Sequence, residues 1–142
     1  MTTTTPRQYQ NTPVDTKIVL SALWTTMLFV FAYVDIFGFF RADVVEGALD
    51  GTVGSTSLEV GQGFLVATLV YILLPSLMVA LSLLLAPRVN RSANLVVSVL
   101  YATSIALLCV GEEWAYYLLG SLVEVCLLVT IARVAWTWPL VA

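Results

Sequence analysis

Residues 18–40 read IVLSALWTTMLFVFAYVDIFGFF, and this stretch decides the fold of the chain. About 20 consecutive apolar residues are enough for a helix to cross the hydrocarbon core of a bilayer. The run therefore predicts a transmembrane helix, in which the carboxylate of Asp35 is the anomaly. An acid at the centre of such a helix costs roughly 2.5 to 3.5 kcal/mol, and less near an end, so Asp35 needs either a compensating partner or a function.

The composition extends this interpretation to the whole chain. Of the 142 residues, 60% are hydrophobic and 11% are charged, whereas soluble domains average about 45–50% apolar and about 25% charged residues. The excess of apolar surface requires lipid around it, and the length leaves no room for a second domain. The net charge of -3, without a basic stripe, argues against nucleic acid as a partner.

Residue types that carry chemistry are sparse in this sequence. It contains no histidine, which is the commonest metal ligand and general base. Cys109 and Cys126 lie in separate apolar runs and form no Cys-x-x-Cys pair. We recognise no catalytic, cofactor or metal motif, so we expect no cofactor, and a membrane enzyme is the least favoured function.

Four apolar runs predict four membrane helices. We expect these helices over residues 17–40, 62–86, 93–110 and 114–138, with an outer loop of residues 41–61 after the first. Residues 1–16 are polar, without periodicity, and predict a disordered cytoplasmic tail. A signal peptide is the alternative, but the apolar run that follows exceeds the roughly 7–15 residues of a signal core. The predicted fold is an all-α integral membrane four-helix bundle within residues 17–142.

The connections between the runs carry local signals. Thr56 and Glu59 have the spacing of a capping box and predict that the second helix begins before the membrane does. Residues 87–92 predict a tight turn between the second and third helices. Pro75, inside the second run, predicts a kink because it lacks an N–H group and clashes with the carbonyl of Tyr71. That kink is either a packing feature or a functional hinge.

Basic residues set the predicted orientation. Five of the six flank the same end of the predicted bundle, namely Arg7, Lys17, Arg88, Arg91 and Arg133. The other two loops hold only Arg41. Because Lys and Arg favour the cytoplasmic side of a membrane, we expect both termini to be cytoplasmic.

Three polar residues recur at one predicted depth in the bundle. Tyr71, Tyr101 and Glu124 each lie ~14 to 15 Å from the outer end of their helix at 1.5 Å per residue. We expect them to meet in one inward-facing cavity, with Asp35 about two helical turns nearer the outside. Tyrosine hydroxyls can both donate and accept hydrogen bonds, and would satisfy the carboxyl of Glu124. The two acids are then either groups that bind protons or a ligand, or structural residues that tie the helices together.

Four short stretches carry a resemblance to a known family. They are Tyr33-x-Asp35 with Gly38-Phe39, then Gln62-Gly63-Phe64-Leu65, then Arg88-Val89-Asn90-Arg91-x-Ala93-Asn94, and last Glu124 with Ala135-Trp136-Thr137-Trp138-Pro139. Together they are similar to small four-span bacterial membrane proteins classed as a domain of unknown function. The resemblance implies four spans in a bacterial inner membrane and no known chemistry. A looser likeness to the DoxX-like proteins rests on size and topology alone.

One departure from that family's pattern concerns the acids. Its members often carry an acid just before the proline of the second span, whereas Leu73 and Leu74 precede Pro75 here. The resemblance therefore does not imply that this chain has an acidic cluster common to the whole family.

Three function classes stay open. The first is a small transporter or permeation subunit that uses the acids as coupling sites and needs to oligomerise, because four helices enclose little volume. The second is a non-catalytic membrane partner or lipid-binding subunit, whose polar face docks another protein or a lipid headgroup. The third is the disfavoured enzyme. The expected partners are the lipid bilayer and either a second copy of the chain or another membrane protein.

Overall fold

The computed structural model describes residues 12–54 and 56–139. Within them the chain forms five α-helices, namely α1 (Thr16–Gly38), α2 (Ala42–Leu49), α3 (Gln62–Leu84), α4 (Pro87–Leu108) and α5 (Ala115–Trp136). Four of these, α1, α3, α4 and α5, are long and apolar enough to cross a membrane. The predicted all-α membrane four-helix bundle is therefore confirmed. Each spanning helix ends two residues before its predicted end, a difference within the usual uncertainty of helix ends.

A side-chain cap sets the beginning of α1. The carboxylate of Asp15 accepts a hydrogen bond from the backbone N–H of Lys17 at 2.7 Å, as acids do at helix N-termini. Most of the tail predicted to be disordered, residues 1–16, lies outside the described residues. Its last residue, Thr16, already belongs to α1.

The connection between α3 and α4 is shorter than expected. The predicted turn over residues 87–92 is wrong, because α4 begins at Pro87 and only Leu85 and Ala86 separate the two helices. Proline fits the first position of a helix, where its missing N–H would have no intrahelical acceptor and its fixed φ is already helical. The longer α4 brings Asn90 into the bundle, where it is fully buried.

The loop of residues 41–61 has more regular structure than expected. It contains α2 and an isolated antiparallel bridge between Thr52 and Glu59. The predicted capping box is wrong, since α3 begins only at Gln62. Gly47 of α2 is buried, and a Cβ atom on it would lie 2.2 Å from the carbonyl oxygen of Gly54. Close backbone packing within the loop therefore requires glycine at this position.

The spanning helices pack in an uneven ring. Helix α5 packs against both α4 and α1, and α1 packs against α3, whereas α3 and α4 approach each other less closely. The apolar core is formed by all four helices through Leu20, Trp24, Met27, Met78, Tyr101, Ile105, Leu128, Ile131 and Ala135. Most other large apolar side chains are exposed, which suits a surface surrounded by lipid tails.

A small residue allows the close approach of α1 and α5. A Cβ atom on Gly120 of α5 would lie 2.2 Å from a methyl group of Val34 of α1. Small residues at helix contacts let backbones come together inside membranes, where packing rather than the hydrophobic effect holds helices. Gly120 and Val34 therefore set the spacing of these two helices beside the cavity described next.

Candidate intramembrane cavity

A cavity of about 200 Å³ lies between the four spanning helices. It is nearer the loop end of the bundle, which carries residues 39–61 and 109–114, than the termini end, where α1 begins and α5 ends. The residues that line this acidic cavity are Phe31, Val34 and Asp35 of α1, Thr68, Tyr71 and Ile72 of α3, Ile105 and Leu108 of α4, and Tyr117, Ser121 and Glu124 of α5. Three of the four residues expected to share a cavity, Asp35, Tyr71 and Glu124, are among them.

Glu124 is the buried acid of this cavity. Its position follows from the helical repeat of α5, because Ser121, Glu124, Leu128 and Ile131 recur at steps of three and four residues and are all buried. Glu124 is 2% exposed, and within the described residues its Oε1 atom has no hydrogen-bond partner. A buried polar atom without a partner costs roughly 1 to 3 kcal/mol. Such atoms are uncommon in folded proteins and call for a specific explanation.

Asp35 occupies a different environment in the same cavity. Its side chain is exposed and lies one helical turn from the end of α1 at Gly38. Among the described residues, the ion pairs are formed by Arg41 and include neither Asp35 nor Glu124. The cavity therefore has one acid at its exposed edge and a second at its buried side.

The two tyrosines use their hydroxyl groups elsewhere. Tyr71 lines the cavity, but its hydroxyl is hydrogen-bonded to the Oγ atom of Ser104 at 2.7 Å. The hydroxyl of Tyr101 donates to the backbone carbonyl of Tyr71, and Tyr101 does not line the cavity. The structure thus differs from the expectation that tyrosine hydroxyls satisfy the carboxyl of Glu124.

Pro75 explains where the Tyr101 hydroxyl goes. A proline has no N–H, so the carbonyl four residues earlier, that of Tyr71, has no donor within the helix. The hydroxyl of Tyr101 supplies this donor from α4, and the rings of Tyr71 and Tyr101 pack with their centroids 4.8 Å apart. Tyr101 therefore compensates for the proline in α3, at a point where α3 and α4 meet. The role of Pro75 as a hinge stays a prediction.

Arg41 binds other acids near the loop end. Its guanidinium group pairs with Asp43 at 2.6 Å and with Glu112 at 3.2 Å, and it lies 4.7 Å from the ring centroid of Trp114. The hydrogen bond from Arg41 lowers the pKa of Asp43. Burial acts to raise the pKa of Glu112, but the N–H of Trp114 and the side chain of Arg41 outweigh it, so that this pKa is lowered. Arg41 is thus engaged outside the acidic cavity.

A second buried polar cluster, which the sequence did not lead us to expect, lies towards the termini end. The Oδ1 atom of Asn94 accepts hydrogen bonds from Trp24 Nε1 at 2.7 Å and from Ser82 Oγ at 3.2 Å. The Nδ2 atom of Asn94 donates to Asn90 Oδ1 at 2.6 Å, and Asn90 Nδ2 donates to the Ser82 carbonyl at 2.6 Å. This asparagine cluster joins α1, α3 and α4. The four-residue spacing of the two asparagines, on one face of a helix, is the signal that could have revealed it.

The helices and the cavity together define a class of protein. Four helices of membrane-spanning length around a cavity with two carboxylates are the features of a multi-pass membrane protein. The chain belongs to the family of unknown function DUF6326, whose family model matches residues 11–140. This match confirms the resemblance to a domain of unknown function. Comparisons with curated proteins and with solved structures found no significant match, so the looser likeness to DoxX-like proteins is not shown.

Proposed function

We propose that this protein is a small membrane transporter or permeation subunit, in which Glu124 binds the translocated ion or molecule. The observation that carries the proposal is the Oε1 atom of Glu124, which is buried beside a cavity and has no hydrogen-bond partner within the described residues. An acid within a membrane-spanning segment is expensive, and acids there commonly mark ion or substrate pathways.

The neighbours of Glu124 support a binding role over a structural one. An acid that only ties helices together is expected to have its oxygens bonded by nearby donors. The two tyrosines at a similar depth could supply such donors, but their hydroxyls bond to Ser104 and to the Tyr71 carbonyl instead. The carboxyl of Glu124 is thereby left available to exchange partners, as a transport site requires.

Asp35 and Pro75 supply the rest of the proposed mechanism. Asp35, exposed at the edge of the cavity, attracts a ligand from the loop end towards Glu124. The core and the asparagine cluster close the other end, so passage needs a second conformation. Pro75 is buried in α3 and provides no N–H group for the Tyr71 carbonyl, which accepts a hydrogen bond from the Tyr101 side chain instead. Because this backbone hydrogen bond is missing from α3, Pro75 is the position where the helix can bend. The cavity of about 200 Å³ is smaller than the roughly 300–1,000 Å³ of common ligand pockets, so the ligand is small.

Charge movement across a membrane tests this function. The purified protein in proteoliposomes is adsorbed to a solid-supported membrane and exposed to steps of protons, sodium, potassium and small organic cations. We expect a transient current with at least one probe and its loss in Glu124→Gln. The matched control is Glu113→Gln, because Glu113 is an exposed acid outside the cavity. That variant should keep the current.

The structural role of Glu124 predicts a different pattern. In that case Glu124→Gln should change neither the current nor the melting temperature appreciably, while Glu124→Leu should lower the melting temperature. Folded protein that gives no current dependent on Glu124 with any probe would contradict the transport proposal. It would favour the alternative of a non-catalytic partner or lipid-binding subunit.

The orientation belongs to the same proposal. We place both termini in the cytoplasm of a bacterial inner membrane, because basic residues concentrate at the termini end and favour the cytoplasmic side. Reporter fusions after Ala142 and within the loop near Gly51 check this. The first should report a cytoplasmic location and the second an external one, and the reverse pattern would overturn the orientation.

A further inference from the structure

We infer that the acidic cavity binds a compact organic monocation, which is an ammonium group on an apolar body slightly larger than a benzene ring. This inference rests on the proposed function only in taking the bound cation to be the one that the protein transports. The charge, the lining and the size of the cavity each support a ligand of this kind.

The charge of the cavity selects a cation. Among the described residues, the lining includes the carboxyl groups of Asp35 and Glu124 and contains neither Lys nor Arg. The nearest basic residue along the chain, Arg41, pairs with Asp43 and Glu112. Burial of a carboxylate is unfavourable unless a cation or donors compensate it. A positively charged ligand is therefore the complement of this site, and an anion would be repelled.

The rest of the lining favours an organic cation over a metal ion. Calcium takes six to eight oxygen ligands and magnesium a nearly ideal octahedron, but among the described residues no group of three or more His, Cys, Asp or Glu side chains is arranged to hold a metal ion. Three aromatic rings also line the cavity, those of Phe31, Tyr71 and Tyr117. The faces of such rings attract ammonium groups.

The size of the cavity limits the apolar body of the ligand. An apolar cavity of about 150 Å³ is known to accommodate benzene, and the acidic cavity measures about 200 Å³. A single ring with a short amine chain therefore fits. Aliphatic side chains of Val34, Ile72, Ile105 and Leu108 surround such a body, while the carboxyl of Glu124 pairs with its ammonium group.

Equilibrium dialysis of the purified full-length protein in detergent tests the inference. The probes are radiolabelled 2-phenylethylamine, which is protonated at neutral pH, and 2-phenylethanol, an uncharged molecule of nearly the same shape. Micelles without protein correct for partitioning. We expect saturable binding of the amine and at least tenfold weaker binding of the alcohol. This comparison uses the wild-type chain and needs no variant to fold.

Two variants of the cavity acids and one control variant then locate the binding site. Glu124→Gln should weaken amine binding at least tenfold, while Glu113→Gln should leave it unchanged. Asp35→Asn should weaken it less than Glu124→Gln does, because Asp35 lies at the exposed edge. Since Asp35 is exposed, this variant also reports on the site if Glu124→Gln fails to fold.

The outcomes separate this inference from the proposed function. Equal binding of amine and alcohol, or amine binding that neither acid variant weakens, overturns the inference. A current dependent on Glu124 without amine binding also overturns it and leaves the transport proposal standing. Amine binding that depends on Glu124, without current from any probe, supports the inference and contradicts transport.

Discussion

The acidic cavity and the asparagine cluster both contain buried polar groups, but these groups differ in whether they have hydrogen-bond partners. Asn94 is fully buried, and its side-chain oxygen and nitrogen both have partners on neighbouring residues. Glu124 is 2% exposed, yet its Oε1 atom has no partner within the described residues. The contrast separates polar groups that hold the helices together from a polar group that is available for binding. Burial alone does not make this distinction.

The largest expected effect is the loss of the asparagine cluster. Asn94→Ala would leave the buried donors of Trp24 and Ser82 without acceptors, and each such group costs roughly 1 to 3 kcal/mol. We expect the free energy of unfolding to fall by about 3 kcal/mol or more. By contrast, Glu124→Gln should change it by less than about 1 kcal/mol, because no hydrogen bond to Oε1 is lost. Chemical unfolding in mixed detergent micelles measures both, and equal destabilisation would remove the distinction between the two regions.

The next effect concerns the contact that sets the spacing of α1 and α5 beside the cavity. In Gly120→Ala the new methyl group would collide with Val34, and overpacking typically costs about 1 to 3 kcal/mol. The double variant Gly120→Ala with Val34→Ala should recover most of that loss, since it removes the colliding methyl groups. Unfolding measurements on the single and double variants form the test. A loss without recovery would show that the two side chains do not set the spacing.

A smaller effect is expected where Tyr101 compensates for Pro75. Tyr101→Phe removes the donor to the Tyr71 carbonyl and should lower the free energy of unfolding by about 1 to 2 kcal/mol. Pro75→Ala restores an N–H within α3 that can bond to the same carbonyl. When Pro75→Ala is already present, Tyr101→Phe should therefore hardly change the free energy of unfolding. Equal losses in both backgrounds would mean that the tyrosine acts through packing instead.

The smallest effect belongs to the ion pairs of Arg41. The pKa of Glu112 is lowered in the folded protein, so its stabilisation is present at neutral pH and is lost as the pH falls below the ordinary value of 4.5. Partly exposed pairs contribute about 0.2 to 1 kcal/mol. Glu112→Gln should lower the melting temperature slightly at pH 7, and the difference from wild type should shrink at acidic pH. A constant difference would exclude the ion pair as its cause.

Features that depend on a single stretch of chain were accessible from the sequence. The four spans follow from the length of apolar runs, because each run must cross the same thickness of hydrocarbon. Asp35 and Glu124 stood out for the same reason, since an acid is anomalous within an apolar run. The lack of a helical N–H donor for the Tyr71 carbonyl follows directly from the covalent structure of Pro75, which has no N–H group.

Features that depend on two or more helices were decided by the tertiary structure. Depth along a helix is a one-dimensional quantity. It predicted that Tyr71, Tyr101 and Glu124 lie at one level in the membrane, but it could not predict the direction in which any side chain points. Helix rotation and spacing direct the Tyr101 hydroxyl to a backbone carbonyl and leave Glu124 Oε1 without a partner. The asparagine cluster likewise arises only where α1, α3 and α4 meet. Hydrophobic length is a local property of the chain, whereas the partner of a polar atom depends on the neighbours that folding brings to it.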